Sequence, residues 1–235
     1  MLAFLFHGQG SQRVGMGKAL MDASAECRIT FEEADAILGV SLSQLCVDGP
    51  EEQLTLTENA QPAILTTSIA AYRFVLAQGL QPDFVAGHSL GEYSAHVAAG
   101  TLSFADAIMI VRERGRFMQE AVPVGVGSMA AILGLDAEVV MQVCNDVANG
   151  AVVAPANLNA PGQVVIAGER EAVGRVTTAA RKRGAKRVIP LAVSAPFHCA
   201  LMQPAADRLV PILRSVNVAN PVSYTHLTLP TICSV

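Results

Sequence analysis

Apolar positions along the chain repeat one arrangement twice. The run Leu2-Ala3-Phe4-Leu5-Phe6 stops at Gly8-Gln9-Gly10-Ser11-Gln12, which predicts a buried strand feeding a glycine turn, with helical patterning continuing through Leu38. The succession starts again at Asp83-Phe84-Val85-Ala86, passes through Gly87-His88-Ser89-Leu90-Gly91, and enters a helical stretch over 92–99 closed by Gly100. Strand, glycine turn and helix in this order imply a parallel sheet with helices on its faces. From about Pro123 the texture changes. The pattern predicts strands over 128–133, 151–154, 164–167 and 187–193 and helices over 136–147 and 171–183, a βαββαβ order of the ferredoxin-like kind. We therefore expect an α/β protein in which a smaller domain is inserted into a larger one that resumes near Ser194.

Composition sharpens this picture. Of the 235 residues 51% are hydrophobic and 15% charged, with mean hydropathy +0.41, against a usual charged share of about 25%. A disordered chain is excluded, and strands covered on both faces fit such a composition. The net charge of −4 argues against a general electrostatic role on nucleic acid or anionic lipid. No apolar run reaches the roughly 18 residues of a membrane span, and the N-terminal run lacks a basic flank and meets His7-Gly8 too early for a signal peptide. A cytoplasmic protein is expected. Cys27, Cys46, Cys144, Cys199 and Cys233 are odd in number and far apart, so they read as free thiols with neither a disulfide framework nor a zinc site.

The chemistry concentrates at Gly87-His88-Ser89-Leu90-Gly91, a G-x-S-x-G on a strand-to-helix turn. Such a turn projects its serine hydroxyl at a helix N-terminus, where free N–H groups and the helix dipole favour the anion of acyl transfer. The plainer alternative is a glycine turn with a capping serine. A serine nucleophile needs a base. His88 adjoins the serine but points away and is expected to pack beneath the turn. His96 follows Glu92 by four residues, a spacing a surface ion pair explains. His7 ends the first strand and could approach the cleft, and His226 lies in an anomalous tail, so His198, in a loop between a strand and a helix start, is the best candidate. In the helix opened by Ser103, with Asp106 as its capping-box acid, Arg114 shares the buried stripe with Ala107, Val111 and Met118, whereas Arg112 and Arg116 are expected on the polar side. A buried guanidinium needs an anion, either a protein carboxylate or a substrate carboxylate beside the nucleophile. The N–H groups of Gly8-Gln9-Gly10 suit an oxyanion hole better than a phosphate loop, because Arg13 replaces the third glycine of G-x-G-x-x-G. Seven of the sixteen basic residues, Arg170, Arg175, Arg181, Lys182, Arg183, Lys186 and Arg187, fall within eighteen positions. They read equally as a face for an acidic partner or as complements of a helix C-terminus.

These segments, together with Glu92-Tyr93-Ser94-Ala95, Asn159-Ala160-Pro161-Gly162-Gln163 and Phe197-His198-Cys199-Ala200-Leu201-Met202, resemble the malonyl-CoA:acyl carrier protein transacylases of bacterial type II fatty acid synthesis, in order from residue 2 to about 222. The resemblance implies an α/β-hydrolase-like domain over 1–122 and 194–222 carrying a ferredoxin-like subdomain over 123–193. It implies Ser89 as nucleophile, His198 as base, the N–H groups of Gln9 and Leu90 as oxyanion hole, Arg114 as grip on the malonyl carboxylate, and Met118 and Phe197 as pocket walls. No metal or other cofactor is implied, the partners being malonyl-CoA and acyl carrier protein, with a monomer expected. A neutral acyl chain would leave the buried Arg114 without a carboxylate to pair, so acetyl-CoA is expected to be rejected.

Two departures stand out. His7 occupies a position where the family usually has proline. Residues 223–235 have no family counterpart and read as non-native, so the larger domain is expected to lack its last part, including a glutamine whose carbonyl orients the histidine. An esterase or thioesterase, a carrier-binding fragment without transfer activity, and a transacylase of polyketide synthesis or malonate decarboxylase are the rival readings.

Overall fold

In the computed structural model of the chain, residues 1–191 and 193–221 are described in full, together with the backbone of 224–225. The chain forms two compact units, one of Met1–Arg116 and the stretch from Leu209, the other of Phe117–Arg208.

The first unit begins with β1 (Ala3–Phe6) and continues through α1 (Lys18–Ala23), α2 (Ala25–Leu38), α3 (Leu42–Asp48) and α4 (Glu51–Thr55) to the long α5 (Thr57–Ala77). Next come β2 (Phe84–Gly87), α6 (Gly91–Ala98) and α7 (Phe104–Ala121). β1 pairs with β2 in parallel, Ala3 opposite Phe84 through Phe6 opposite Gly87. Both strands of the repeated strand-turn-helix pattern are thus neighbours in one sheet. The expected cap of α7 is present: Asp106 N–H donates to Ser103 Oγ at 3.0 Å, and Ser103 Oγ lies 2.6 Å from the Asp106 carboxylate.

The periodicity gave no sign of α5, for a physical reason. Ala60 through Thr66 are buried without interruption, so this segment has no polar face and no 3.6-residue alternation. It also contains Pro62, whose ring nitrogen donates nothing to the carbonyl of Glu58 four residues back. Arg112 of α7 supplies that hydrogen bond from Nη1 at 2.9 Å and also reaches Asn59 Oδ1. The expectation that Arg112 lies on a polar face is therefore corrected: it is half-buried and mends the helix that proline interrupts. Arg116 is exposed and paired with Glu113.

The second unit contains β3 (Gly127–Leu133), α8 (Ala137–Val147), β4 (Val153–Ala160), β5 (Gln163–Glu169), α9 (Arg170–Lys182) and β6 (Arg187–Pro190). A short 3₁₀ turn, Ala200–Met202, and α10 (Gln203–Ser215) follow. The sheet is antiparallel in the order β4-β5-β3-β6, the arrangement a ferredoxin-like βαββαβ chain makes. Ile132, Val164 and Ile166 of the sheet bury against Val140 and Val143 of α8 and Val173 and Val176 of α9. The strand expected to end at residue 154 instead runs to Ala160. Its Pro155 is accommodated because β4 is an edge strand, with register shifts at 155/157 and 158/160. β6 ends at Pro190 rather than 193.

The backbone of β7 (Tyr224–Thr225) pairs in parallel with Phe84 and Val85. The rest of the stretch expected to be non-native, including His226 and Cys233, lies outside the described residues. Cys27, Cys46, Cys144 and Cys199 are buried and not in disulfides, and burial pushes the Cys46 and Cys144 thiols up to about 12.

Candidate active site

In the first unit the chain leaves β2 at Gly87 and turns through Ser89, which takes a positive φ of 51°, a conformation that costs a non-glycine residue about 1–3 kcal/mol and persists where surrounding contacts enforce it. Those contacts are visible in the flanking glycines. A Cβ on Gly87 would lie 1.9 Å from the carbonyl carbon of Gly91, and one on Gly91 would lie 2.2 Å from the carbonyl oxygen of Phe6. The turn is closed by Gly91 N–H to His88 O at 2.9 Å and Glu92 N–H to Ser89 O at 3.1 Å. The serine hydroxyl is thereby placed at the start of α6, with Leu90 buried behind it.

The glycine loop after β1 lies against this elbow. Gly8 comes so close to His88 that an added Cβ would meet His88 O at 2.6 Å and Nδ1 at 2.8 Å. His88 N–H donates to Phe6 O at 3.1 Å. Burial holds the His88 imidazole below its ordinary pKa, so it packs as a neutral ring beside the loop. Within the loop, Ser11 Oγ donates to Gly8 O at 3.0 Å and Gly10 N–H to Gln12 Oε1 at 2.8 Å. His7 is exposed.

Arg114 is 3% exposed, a degree of burial that demands partners. Its Nη2 donates to Ser89 Oγ at 3.1 Å and its Nη1 to Gln61 Oε1 at 2.7 Å, while Cζ lies 5.7 Å from the centre of the Tyr93 ring. The approach depends on Gly115, where a Cβ would come within 2.6 Å of Thr57 O, so α7 meets the start of α5 backbone to backbone. Burial lowers the guanidinium's pKa against the opposing pull of Tyr93 and Glu92. Burial likewise raises the Glu92 carboxyl, with Arg114 countering it. His96 stands 3.9 Å from Glu92, and burial lowers its pKa as well. The surface ion pair expected here is corrected to a half-buried contact in which each group is shifted toward its neutral form.

Gln61 and Thr57, both fully buried, escaped the sequence reading because they sit in the segment without periodicity. The one available signal was a glutamine followed by proline inside an apolar run.

In the second unit His198 is 6% exposed and also has a positive φ, 58°. Its loop is fixed on both sides. Pro196 sits over Gly127, where a Cβ would lie 2.3 Å from the proline ring, Cys199 Sγ donates to Pro196 O at 3.1 Å, and Gln119 Nε2 reaches Ser194 O at 3.3 Å. Phe197 and Met118 are buried. Thus Ser89, Leu90, Arg114 and Gln9 belong to the first unit, and His198, Phe197 and Met118 to the second. Among the described residues no cluster of three His, Cys, Asp or Glu side chains could hold a metal, and no helix is long and apolar enough to cross a membrane.

The family model for the acyl transferase domain matches residues 3–231. The chain belongs to the acyl transferase family. This transferase is 55% identical over 218 residues to the malonyl CoA-acyl carrier protein transacylase of Bacillus subtilis, covering 92% of the chain and 69% of that protein. It is 52% identical over 223 residues to the protein of the same description from Escherichia coli strain K12, covering 93% and 71%. Among solved structures, the malonyl CoA-acyl carrier protein transacylase of Coxiella burnetii superposes with TM-score 0.93 at 45% identity, over 95% of the transferase and 71% of that chain. A malonyl-transacylase in complex with a type II polyketide acyl-carrier protein matches with TM-score 0.93 at 49% identity, over 95% and 73%.

Proposed function

We propose that the chain transfers a malonyl group from malonyl-CoA to the phosphopantetheine thiol of acyl carrier protein through a malonyl ester on Ser89. The observation that carries this reading is the 3.1 Å hydrogen bond from a buried arginine to the elbow serine. A hydrolase needs the serine but has no use for a cation beside it. An acyl group that ends in a carboxylate does, because the planar guanidinium fork matches two carboxylate oxygens.

In the first half-reaction Ser89 Oγ attacks the thioester carbonyl. His198, the base by family resemblance, takes the hydroxyl proton, and the N–H groups of Gln9 and Leu90 receive the developing oxyanion. The C–S bond breaks, and CoA leaves as a thiol with the proton His198 returns. In the second half-reaction the carrier thiol loses its proton to His198 and attacks the ester, and Ser89 departs as the hydroxyl. Arg114 holds the distal carboxylate through both halves, while Phe197 and Met118 bound the acyl pocket. The reaction needs no metal or redox cofactor, and the enzyme acts as a cytoplasmic monomer supplying fatty acid elongation.

The carrier is acidic in this reading and docks on the basic segment, whose composition is narrower than the sequence suggested. Arg175 is bound to the carbonyls of Val147 and Ala148, Arg170 to that of Gly125, and Arg183 to Asp146. The exposed Arg181, Lys182, Lys186 and Arg187, at the end of α9 and the start of β6, are left to meet a partner.

Incubating the protein with malonyl-CoA and mapping the product by mass spectrometry tests the function. A malonyl adduct on the peptide containing Ser89, lost when holo-carrier is added, is expected. Carrier binding without any adduct would replace the transfer reading with a binding one.

A further inference from the structure

Three buried polar residues of the first unit, Arg114, Gln61 and Thr57, form a directed chain that ends at Gln9. Arg114 Nη1 donates to Gln61 Oε1 at 2.7 Å, Gln61 Nε2 donates to Thr57 Oγ1 at 3.0 Å, and Thr57 Oγ1 donates to Gln9 Oε1 at 2.8 Å. Each orientation is forced by the one before it. A guanidinium has donors only, so Gln61 must turn its oxygen toward Arg114 and its amide nitrogen toward Thr57. The threonine hydroxyl must then accept from Gln61, which directs its own proton to Gln9, and Gln9 must present oxygen. Thr57 and Gln61 are 0% exposed, so water cannot take over these bonds, and hydrogen bonds aligned head to tail polarise one another.

From this geometry we infer that Thr57 is a positioning residue that ties the Gln9 loop to the carboxylate clamp. Gln9 lies in a glycine-flanked loop, with Gly10 at φ 105°, and Thr57 anchors its side chain to the start of α5. Through Gln61 the same hydroxyl fixes the rotation of Arg114, whose other nitrogen faces Ser89. The donor for the oxyanion and the grip on the distal carboxylate are therefore set by one hydroxyl that holds the Gln9 side chain directly and reaches Arg114 through Gln61. This inference rests on the proposed malonyl transfer.

The test compares Thr57→Val, which keeps shape and removes the hydroxyl, with Thr57→Ser, which keeps the hydroxyl. Thr57→Val should lower the rate of malonyl-enzyme formation about tenfold, the size of one lost positioning hydrogen bond, and reduce the malonyl-to-acetyl preference. Thr57→Ser should restore both to within about twofold. In a Gln9→Ala background, Thr57→Val should have a smaller effect on rate than in the parent, because its partner is already gone. A lower melting temperature in Thr57→Val with unchanged rate and preference, or equal losses in Val and Ser variants, overturns the relay. Absence of any malonyl-enzyme in the parent protein would instead strike the proposed function, so the two failures are distinguishable.

Discussion

The serine elbow of the first unit and the antiparallel sheet of the second are built by opposite rules. Around the elbow the chain accepts a positive φ at Ser89, backbone approaches that exclude a Cβ at Gly87 and Gly91, and the buried polar chain of Thr57, Gln61 and Arg114. In the second unit, Ile132, Val164 and Ile166 of the strands and Val140 and Val176 of the amphipathic helices make an apolar core. The elbow spends conformational freedom on placing reactive groups; the sheet obtains stability by covering carbon with carbon. Substitutions should therefore damage chemistry in one region and stability in the other.

The largest expected effect is on chemistry. Arg114→Ala should reduce kcat/KM for malonyl-CoA by about two to four orders of magnitude, with a much smaller loss for acetyl-CoA. Equal losses for the two substrates, measured by stopped-flow acylation, would make Arg114 a structural ion rather than a clamp. In the sheet, Ile166→Ala should cost about 2–5 kcal/mol of unfolding free energy, read by urea denaturation, while the folded fraction retains its acylation rate.

Backbone contacts give a third contrast. Gly91→Ala forces a methyl group into the Phe6 carbonyl and should destabilise by about 1–3 kcal/mol while also slowing acylation. Gly174→Ala in α9 meets nothing within 4 Å and should stabilise by about 0.5–1 kcal/mol with no kinetic effect. If both alanines behaved alike, the claim that close approach shapes the elbow would be lost.

The mildest effect is that of pH. Burial holds His88 and His96 below 6.5 in the folded protein. A base whose folded pKa is depressed leaves the unfolded chain binding the extra proton, so stability rises with pH in this window. It should be complete above about 6.5 and fall as the pH drops from there toward the folded values. Urea midpoints that stay level between about pH 7.5 and about pH 5.5 in the parent, or fall equally in His88→Asn, would show that His88 does not contribute.

The same contrast explains what could be read in advance. The ferredoxin-like order was legible because α8 and α9 each bury one face, leaving a 3.6-residue period, while β3 and β5 are short apolar runs buried along almost their whole length and bounded by turn residues. Its errors lay at Pro155 and Pro190, where edge position decides whether proline is tolerated. Ser89 and Arg114 were legible because each broke a local rule, a serine between turn glycines and a charge on an apolar stripe. Gln61 and Thr57 broke none that a single segment displays, since the continuously buried run from Ala60 to Thr66 carries no pattern, and their bonds reach 53 and 48 residues along the chain.

By itself the sequence determined the two strand-turn-helix units, the order of elements in the second unit, the serine elbow and the presence of a buried cation, because turn chemistry and hydrophobic period act over a few neighbouring residues. Only the tertiary structure decided which groups satisfy that cation. It placed Arg112 on the carbonyl Pro62 leaves unmet, joined Arg114 to Gln9 through α5, and used three of the seven basic residues for internal bonds. Hydrogen-bond partners are chosen by distance in space, and distance in space follows from how the helices pack.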